Sequence, residues 1–576
     1  MKKREKKEKK EKKERRPIDK KKLRIVLSIV LSVAIVAGST IALIFSGIFN
    51  KYVFTVDMSK LGYELPNVVN NVNVWSIEGD PFANATASEE YNIFEFVEYV
   101  QFMQCSGGTE SRDLFVDPTD RSVLDDYDFS PLINNCRGVV NLGAKPFLKL
   151  GSVPLKYSKN ATTDSGFGMN PYPPDDYNVY YDYIYALADA LVQEFGVEEV
   201  STWRFGVMTE YENWDWFHAN GDDPTESAKA YCKLYDYTVA ALQDAICEDV
   251  FVGAHSMTVT EGLWDEAEFI KHCANGTNYK TGKKGSRICY LSASFYDSDP
   301  KHFTKGYDLV GTIDYLRTTA ESVGLNNLIY GIDEGRILEG LSEGTVGSEL
   351  LTRTVGYTYQ AAYDARLITQ MFENKIQYFS AWSYLSNGLF SGNPTVSYHV
   401  ARLASRFAGS KLVATENVKK GVMPGTDVNV VAAYNEETET LRIMSYNFKN
   451  SLKYKKDVDI TININAPQFD GKEVVVTKYL IGDDCNYFDE WVEDREKYDI
   501  TDDCFAWSPD DPEIDNPTTL ADEEAREIYF NELYEKYSEC SKLEPTESTA
   551  KVKNSSLTLN INLKAHEVVV YEITVK

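Results

Sequence analysis

Two glutamates stand where acid–base chemistry would be sited. Glu210 follows the β-rich run WRFGVM, and Glu334 directly follows the run LIYGID. One carboxyl group that protonates a leaving oxygen and a second, ionised, that attacks a carbon form the pair needed to break a glycosidic bond. The chain has 88 acidic residues, so two glutamates alone decide nothing. Their surroundings add weight. Tyr211, Trp214, Trp216 and Phe217 crowd the loop after Glu210, and large rings on a polar loop suit stacking on sugar faces. Core packing is the plain alternative for some of them. Trp382 ends another β-rich run, where it is expected to floor a sugar subsite, and Tyr296 is expected to hydrogen-bond a neighbouring carboxylate. His255 lines the same cleft or is a satisfied structural histidine; Asp333 is an acid supporting Glu334 or, in the slightly favoured reading, a solvated group at a strand end. Such a pair needs no metal and no organic cofactor.

Eight elements are required to hold these side chains on one rim. Between residues 72 and 408 short β-rich runs alternate with longer helical patterns, the signature of βαβ units and a parallel sheet. The runs are VNVWS, YVQFM, PFLKL, TWRFGV, VFVGAH, ICYLSASF, LIYGID and QYFSAW. Eight such strands match a (β/α)8 TIM barrel, whose sites are built at the carboxyl ends of the strands. Glu210 then belongs to the fourth strand and Glu334 to the seventh. After residue 409 the pattern turns to alternating, β-branched segments such as TLRIMSYNF, VDITININ and EVVVYEITV, which read as an antiparallel β-sandwich. Residues near 500–550 form an acidic insertion with a helix near 521–537, and the strand-like YVFTVDM before the barrel is a candidate for joining the sandwich.

The charge distribution is uneven. Residues 1–24 carry a net charge of +10 and the remainder −38, within a formal total of −28. An acidic body repels phosphates and excludes nucleic acid as the main ligand. The basic stretch is followed by residues 25–49, an uncharged apolar run. Its length predicts one transmembrane helix preceding the barrel, with a cytoplasmic basic tail at 1–24, a barrel at 50–408 and a sandwich at 409–576 outside the cell membrane. The partners this implies are a membrane, through that helix, and a carbohydrate substrate. The nine cysteines show no metal-binding spacing and read mostly as buried thiols, with room for one or two disulfides, of which Cys485–Cys504 is the chosen pair.

The segments KPFLKLGSVP (145–154) and PPDDYNVYYDYIYALADALVQEFGVEEVSTWRFGVMTEYEN (173–213) resemble glycoside hydrolase family 39, the β-xylosidases and α-L-iduronidases. IYGIDEGRIL (329–338) is similar to the family's nucleophile strand and YLSASFYDSD (290–299) to its sixth-strand segment. The resemblance implies a retaining mechanism with Glu210 as acid/base and Glu334 as nucleophile, and it aligns Trp203, Phe205 and Tyr296 with family positions. Five positions depart from the pattern. Thr209 replaces the asparagine before the acid/base and Tyr211 the proline after it. Ser294 replaces the sixth-strand histidine, and Gln101 and Met103 replace the second-strand Arg-x-His. These changes imply altered contacts to the sugar. The other reading they leave open is a catalytically degenerate carbohydrate-binding module.

Overall fold

The computed structural model describes residues 50–576 apart from 110–112, 166, 220, 222, 258–261, 297–307, 337–357, 383, 387–389, 391, 422–423, 452, 502–503, 507–515 and 521. The chain enters through strand β1 (Lys51–Glu64) and then builds a closed eight-stranded barrel. Its strands are β2 (Asn71–Ser76), β3 (Tyr99–Gln104), β4 (Lys145–Leu150), β5 (Arg204–Val207), β6 (Phe251–Ser256), β7 (Tyr290–Tyr296), β8 (Ile329–Arg336) and β9 (Tyr378–Ala381). Every neighbouring pair among them is parallel, and β9 closes on β2. All eight strands fall on the β-rich runs read from the sequence.

The crossover helices carry their own start and stop signals. Asp176 caps the helix Tyr177–Phe195 by accepting from the Asn178 amide, and Gly196, at a φ of 85°, ends it. Its buried face repeats at helical spacing through Tyr180, Tyr183, Ile184, Leu187 and Leu191. Asp223 and Pro224 start the helix Pro224–Ala245 in the same manner. These faces cover the outside of the barrel.

The remaining strands are β10 (Lys411–Lys419), β11 (Asp427–Asn435), β12 (Thr440–Phe448), β13 (Val458–Asn465), β14 (Glu473–Ile481), the short β15 (Phe505–Ala506) and β16 (Asn516–Leu520), then β17 (Thr546–Lys551), β18 (Ser556–Leu563) and β19 (Val568–Val575). Nine strands hydrogen-bond in the order β17-β14-β19-β12-β11-β10-β1-β13-β18. The expected antiparallel arrangement holds except at β1 and β13, which run parallel. The two edges of this sheet are joined by a link from Lys551 to Ser556. Such a link reaches ~18 Å, whereas eight spacings of ~4.8 Å laid flat separate the edges by ~38 Å. The sheet therefore curls on itself, sandwich fashion, around Phe54, Val56, Ile443, Ile462, Val474 and Ile573.

The insertion folds into the helix Phe488–Tyr498 and a helical run from Glu523 to Cys540, packed around Trp491, Tyr529 and Tyr537. It rests on the barrel: the Tyr529 hydroxyl lies 2.6 Å from Ser386 Oγ and accepts from the Asn393 amide at 3.2 Å, in the segment that follows β9.

Two expectations are corrected. The fold was expected to be preceded by one transmembrane helix at 25–49, with membrane attachment through it. Among the described residues no helix is long and apolar enough to cross a membrane, and 25–49 lies outside them. Among the described residues the fold is thus a barrel and a curled sheet with no spanning helix. The disulfide Cys485–Cys504 is also absent, both residues being free thiols. Cys485 is buried and donates to the Gly482 carbonyl within its own turn instead.

Candidate active site

The inside of the barrel is polar where most cores are not. At one level Arg204 lies over the ring of Tyr99, 3.9 Å from its centroid, and beside Phe251 and Tyr378. Above it Lys149, from β4, forms an ion pair with Asp333, from β8, and neither side chain has any exposure. Glycines on the neighbouring strands leave room for these long groups. A Cβ on Gly206 would sit 2.6 Å from Lys149 Cδ, and one on Gly331 would collide with the Tyr378 ring. Asp333 is therefore corrected from a solvated strand end to a fully buried ion-pair member. Burial alone would raise its carboxyl, but the Lys149 ammonium and the Tyr378 hydroxyl hold it below the usual carboxylate range.

Glu334 sits one residue further along β8. In a regular strand two successive side chains point to opposite faces. Here the pairing with β7 slips: Ile332 faces Ala293, but Glu334 faces Ser294, leaving Asp333 as an extra residue. That bulge lets both carboxylates project into the barrel. Glu334 accepts a hydrogen bond from the Tyr296 hydroxyl, and Trp382 Nε1 donates to that hydroxyl at 3.4 Å.

Glu210 is aimed by a different device. Beyond β5 the backbone turns through Met208 at a φ of 67° and Glu210 at 44°, left-handed values that side chains with a Cβ seldom adopt. Three backbone bonds hold the turn: Met208 N to Leu150 O at 2.5 Å, Tyr211 N to His255 O at 3.1 Å and Asn213 N to Glu210 O at 2.7 Å. Strain held in this way by its surroundings is typical of functional sites. The Glu210 carboxylate accepts from Ser294 Oγ at 2.6 Å and from Asn213 Nδ2 at 2.9 Å, and Trp216 donates to it as well. Burial nevertheless raises its carboxyl above the usual range, because desolvation outweighs these donors.

An oxygen of Glu210, an oxygen of Glu334 and a ring nitrogen of His255 all lie within 4.8 Å of one another. His255 Nε2 is 2.8 Å from the Ser294 hydroxyl that donates to Glu210. Burial and the nearby Lys149 push its imidazole down to about 3, so it is neutral. His255 is fully buried and acts on the site through Ser294.

The other anticipated residues divide. Trp382 and Trp216 come together at the mouth around Trp75, whose ring centroid is 6.3 Å from the first and 5.7 Å from the second. Trp214 is 45% exposed and stacks on His218 at 4.8 Å. Thr209 is buried beside Glu210, and its hydroxyl has no hydrogen-bond partner among the described residues. Tyr211 is corrected: it has no exposure and stacks on Tyr231 at 4.6 Å among Trp264 and Phe269, so it anchors the loop in the core instead of facing a ligand.

Two rings at the mouth went unanticipated. Trp75 ends the first barrel strand, where the rule that located Glu210 would have found it. Phe167, stacked on Trp216 at 4.2 Å, lies in a loop with no pattern to mark it. The cleft so formed holds one carboxyl raised by burial, a second that accepts from a tyrosine, and flat rings around both.

Comparison with known proteins agrees with this geometry. The sequence profile of glycosyl hydrolases family 39 matches residues 120–439. A β-xylosidase of Geobacillus stearothermophilus is 28% identical over 149 residues, 26% of this chain and 28% of its own length. The chain thus matches under a third of that relative's length. Among solved structures, a monomeric β-xylosidase from Caulobacter crescentus CB15 superposes with a TM-score of 0.57 at 16% identity, covering 91% of this chain and 99% of that one. A family 39 enzyme from Xanthomonas axonopodis pv. citri gives 0.58 at 14% identity, covering 91% and 97%. At these identities the likeness is one of fold.

Proposed function

The chain belongs to glycosyl hydrolases family 39, and from that premise we propose that it is a glycosidase that cleaves O-glycosidic bonds with retention of configuration. The observation that carries this reading is the approach of Glu210 to Glu334, with oxygens within 4.8 Å. Retaining enzymes keep their two carboxyl groups ~5–5.5 Å apart, whereas inverting ones leave ~6.5–9.5 Å for a water.

Glu334 attacks the anomeric carbon while Glu210, whose proton affinity burial raises, gives its proton to the leaving oxygen. The bond to the leaving group breaks as the ester to Glu334 forms. Glu334 has then lost its charge, which removes a repulsion felt by Glu210 and lowers its proton affinity. Glu210 next takes a proton from water, the water oxygen attacks the anomeric carbon, and Glu334 leaves as a carboxylate. Tyr296 orients Glu334 and the buried Trp216 holds Glu210, while Trp382, Trp75 and the exposed Trp214 present rings to the sugar. The substrate class is an oligo- or polysaccharide; β-xylosides are the first to try, given the relative in Geobacillus stearothermophilus.

The test uses the full chain with a panel of aryl glycosides, the variants Glu210→Gln and Glu334→Gln, and NMR of the first-formed anomer. Hydrolysis with retention is expected, abolished in Glu334→Gln on every substrate and strongly reduced in Glu210→Gln on substrates with poor leaving groups. An inverted product, or hydrolysis that persists in both variants, refutes the mechanism. Binding of oligosaccharides without hydrolysis by the parent would make the chain a carbohydrate-binding module.

A further inference from the structure

The buried ion pair beneath Glu334 belongs to none of the steps above. Its Asp333 is nonetheless bonded from four other strands in the barrel interior. The Lys149 ammonium pairs with its Oδ2, and the Tyr378 hydroxyl donates to its Oδ1 at 2.5 Å. The side-chain amides of Asn73 and Gln101 both donate to its main-chain carbonyl, at 2.8 Å and 3.0 Å. These four residues come from β4, β9, β2 and β3, while Asp333 itself is the extra residue of the β8 bulge.

The carbonyl that Asn73 and Gln101 hold is part of the peptide joining Asp333 to Glu334. Fixing that peptide and the Asp333 carboxylate fixes the direction in which Glu334 leaves the strand. An ordinary barrel interior fills this level with branched apolar residues. A buried charge pair with no exposure is a weak source of stability, since desolvating both ions offsets most of their attraction. Its place under the bulge gives it a different use. We propose that Lys149 and Asp333, with Tyr378, Asn73 and Gln101, are positioning residues that lock the bulge and so aim the Glu334 carboxylate at the anomeric carbon. They act through Glu334 and touch no substrate. The inference rests on Glu334 being the nucleophile.

Among the described residues the groups that face Glu334 include Tyr296 from β7, Trp382 through Tyr296, and Glu210 and His255 within the 4.8 Å group. The Lys149 charge reaches it from below. None of these other groups restrains the bulge peptide, so loss of the clamp should be felt as misdirection and not as lost binding.

The decisive variant is the charge-neutral pair Lys149→Met/Asp333→Leu, which leaves no lone buried ion. With an aryl glycoside that the parent hydrolyses, kcat should fall about 100-fold, the scale of a ~1 Å misplacement, with KM and Tm changed little. Tyr378→Phe removes one bond of the clamp without disturbing charge and serves if the double variant does not fold. Its kcat should fall several-fold at unchanged KM and Tm. Parent-like kcat in the folded double variant, or in Tyr378→Phe should the double variant not fold, overturns the inference. So does a loss that appears in KM alone. Failure of the nucleophile assignment would look different: Glu334→Gln would then retain activity.

Discussion

The two carboxylates share one cleft but are held by opposite means. Glu210 stands on a loop, in left-handed backbone, with three side-chain donors on its carboxylate and burial raising its proton affinity. Glu334 stands within a strand, on a bulge whose neighbour is pinned by an ion pair and two amides. A group that must change protonation twice per turnover is served by an environment near balance between burial and hydrogen bonding. A group that must stay ionised and strike one atom is served by a rigid mount. The difference lies in what each is asked to do, since both side chains are equally withdrawn from solvent.

That contrast can be broken or sharpened by experiment. The largest effect should come from Glu334→Gln, which removes the attacking atom: kcat should fall by more than ~10⁴-fold, beyond the ~10²–10⁴ that acid–base assistance supplies. Glu210→Gln should cost ~10²–10⁴-fold in kcat/KM on a glycoside with a poor leaving group, and far less in kcat/KM on a dinitrophenyl glycoside, whose departure needs no proton. Equal losses on both substrates would erase the distinction between the two residues. Ser294→Ala should be milder, less than about tenfold in kcat, the scale of one hydrogen bond. Ser294 stabilises the charged form of Glu210, so its loss should raise that carboxyl further and move the alkaline limb of the kcat/KM profile to higher pH. An unmoved limb would detach Ser294 from the acid. Smallest in turnover should be Ile462→Ala in the curled sheet. It should cost ~2–5 kcal/mol of stability, seen as a lower Tm, at unchanged kcat.

The strands were legible because each barrel strand is a short apolar run bounded by helical periodicity, and a parallel sheet buries both faces. Glu210 and Glu334 followed from the rule that barrel chemistry sits at strand ends. What lay beyond reach depended on register. Asp333 read as solvated because a bulge of one residue leaves no mark in residue types, yet it decides which way two side chains face. Tyr211 read as a ligand contact because the left-handed turn at Glu210 sends the next ring inward. A signal for the polar interior was present and went unused. Gly206, Gly253 and Gly331 recur at the middle of three strands, and glycine within a strand marks close approach by a bulky neighbour.

The first strand of the curled sheet is made before the barrel, and its partners β10 and β13 after it. During synthesis β1 must wait, with Tyr52, Phe54, Val56 and Met58 uncovered, until the whole barrel has left the ribosome. Anyone excising the barrel for crystallisation inherits the same difficulty. A fragment that starts at residue 50 and stops near 408 carries an orphan apolar strand, whereas one that starts at Leu65 leaves it behind.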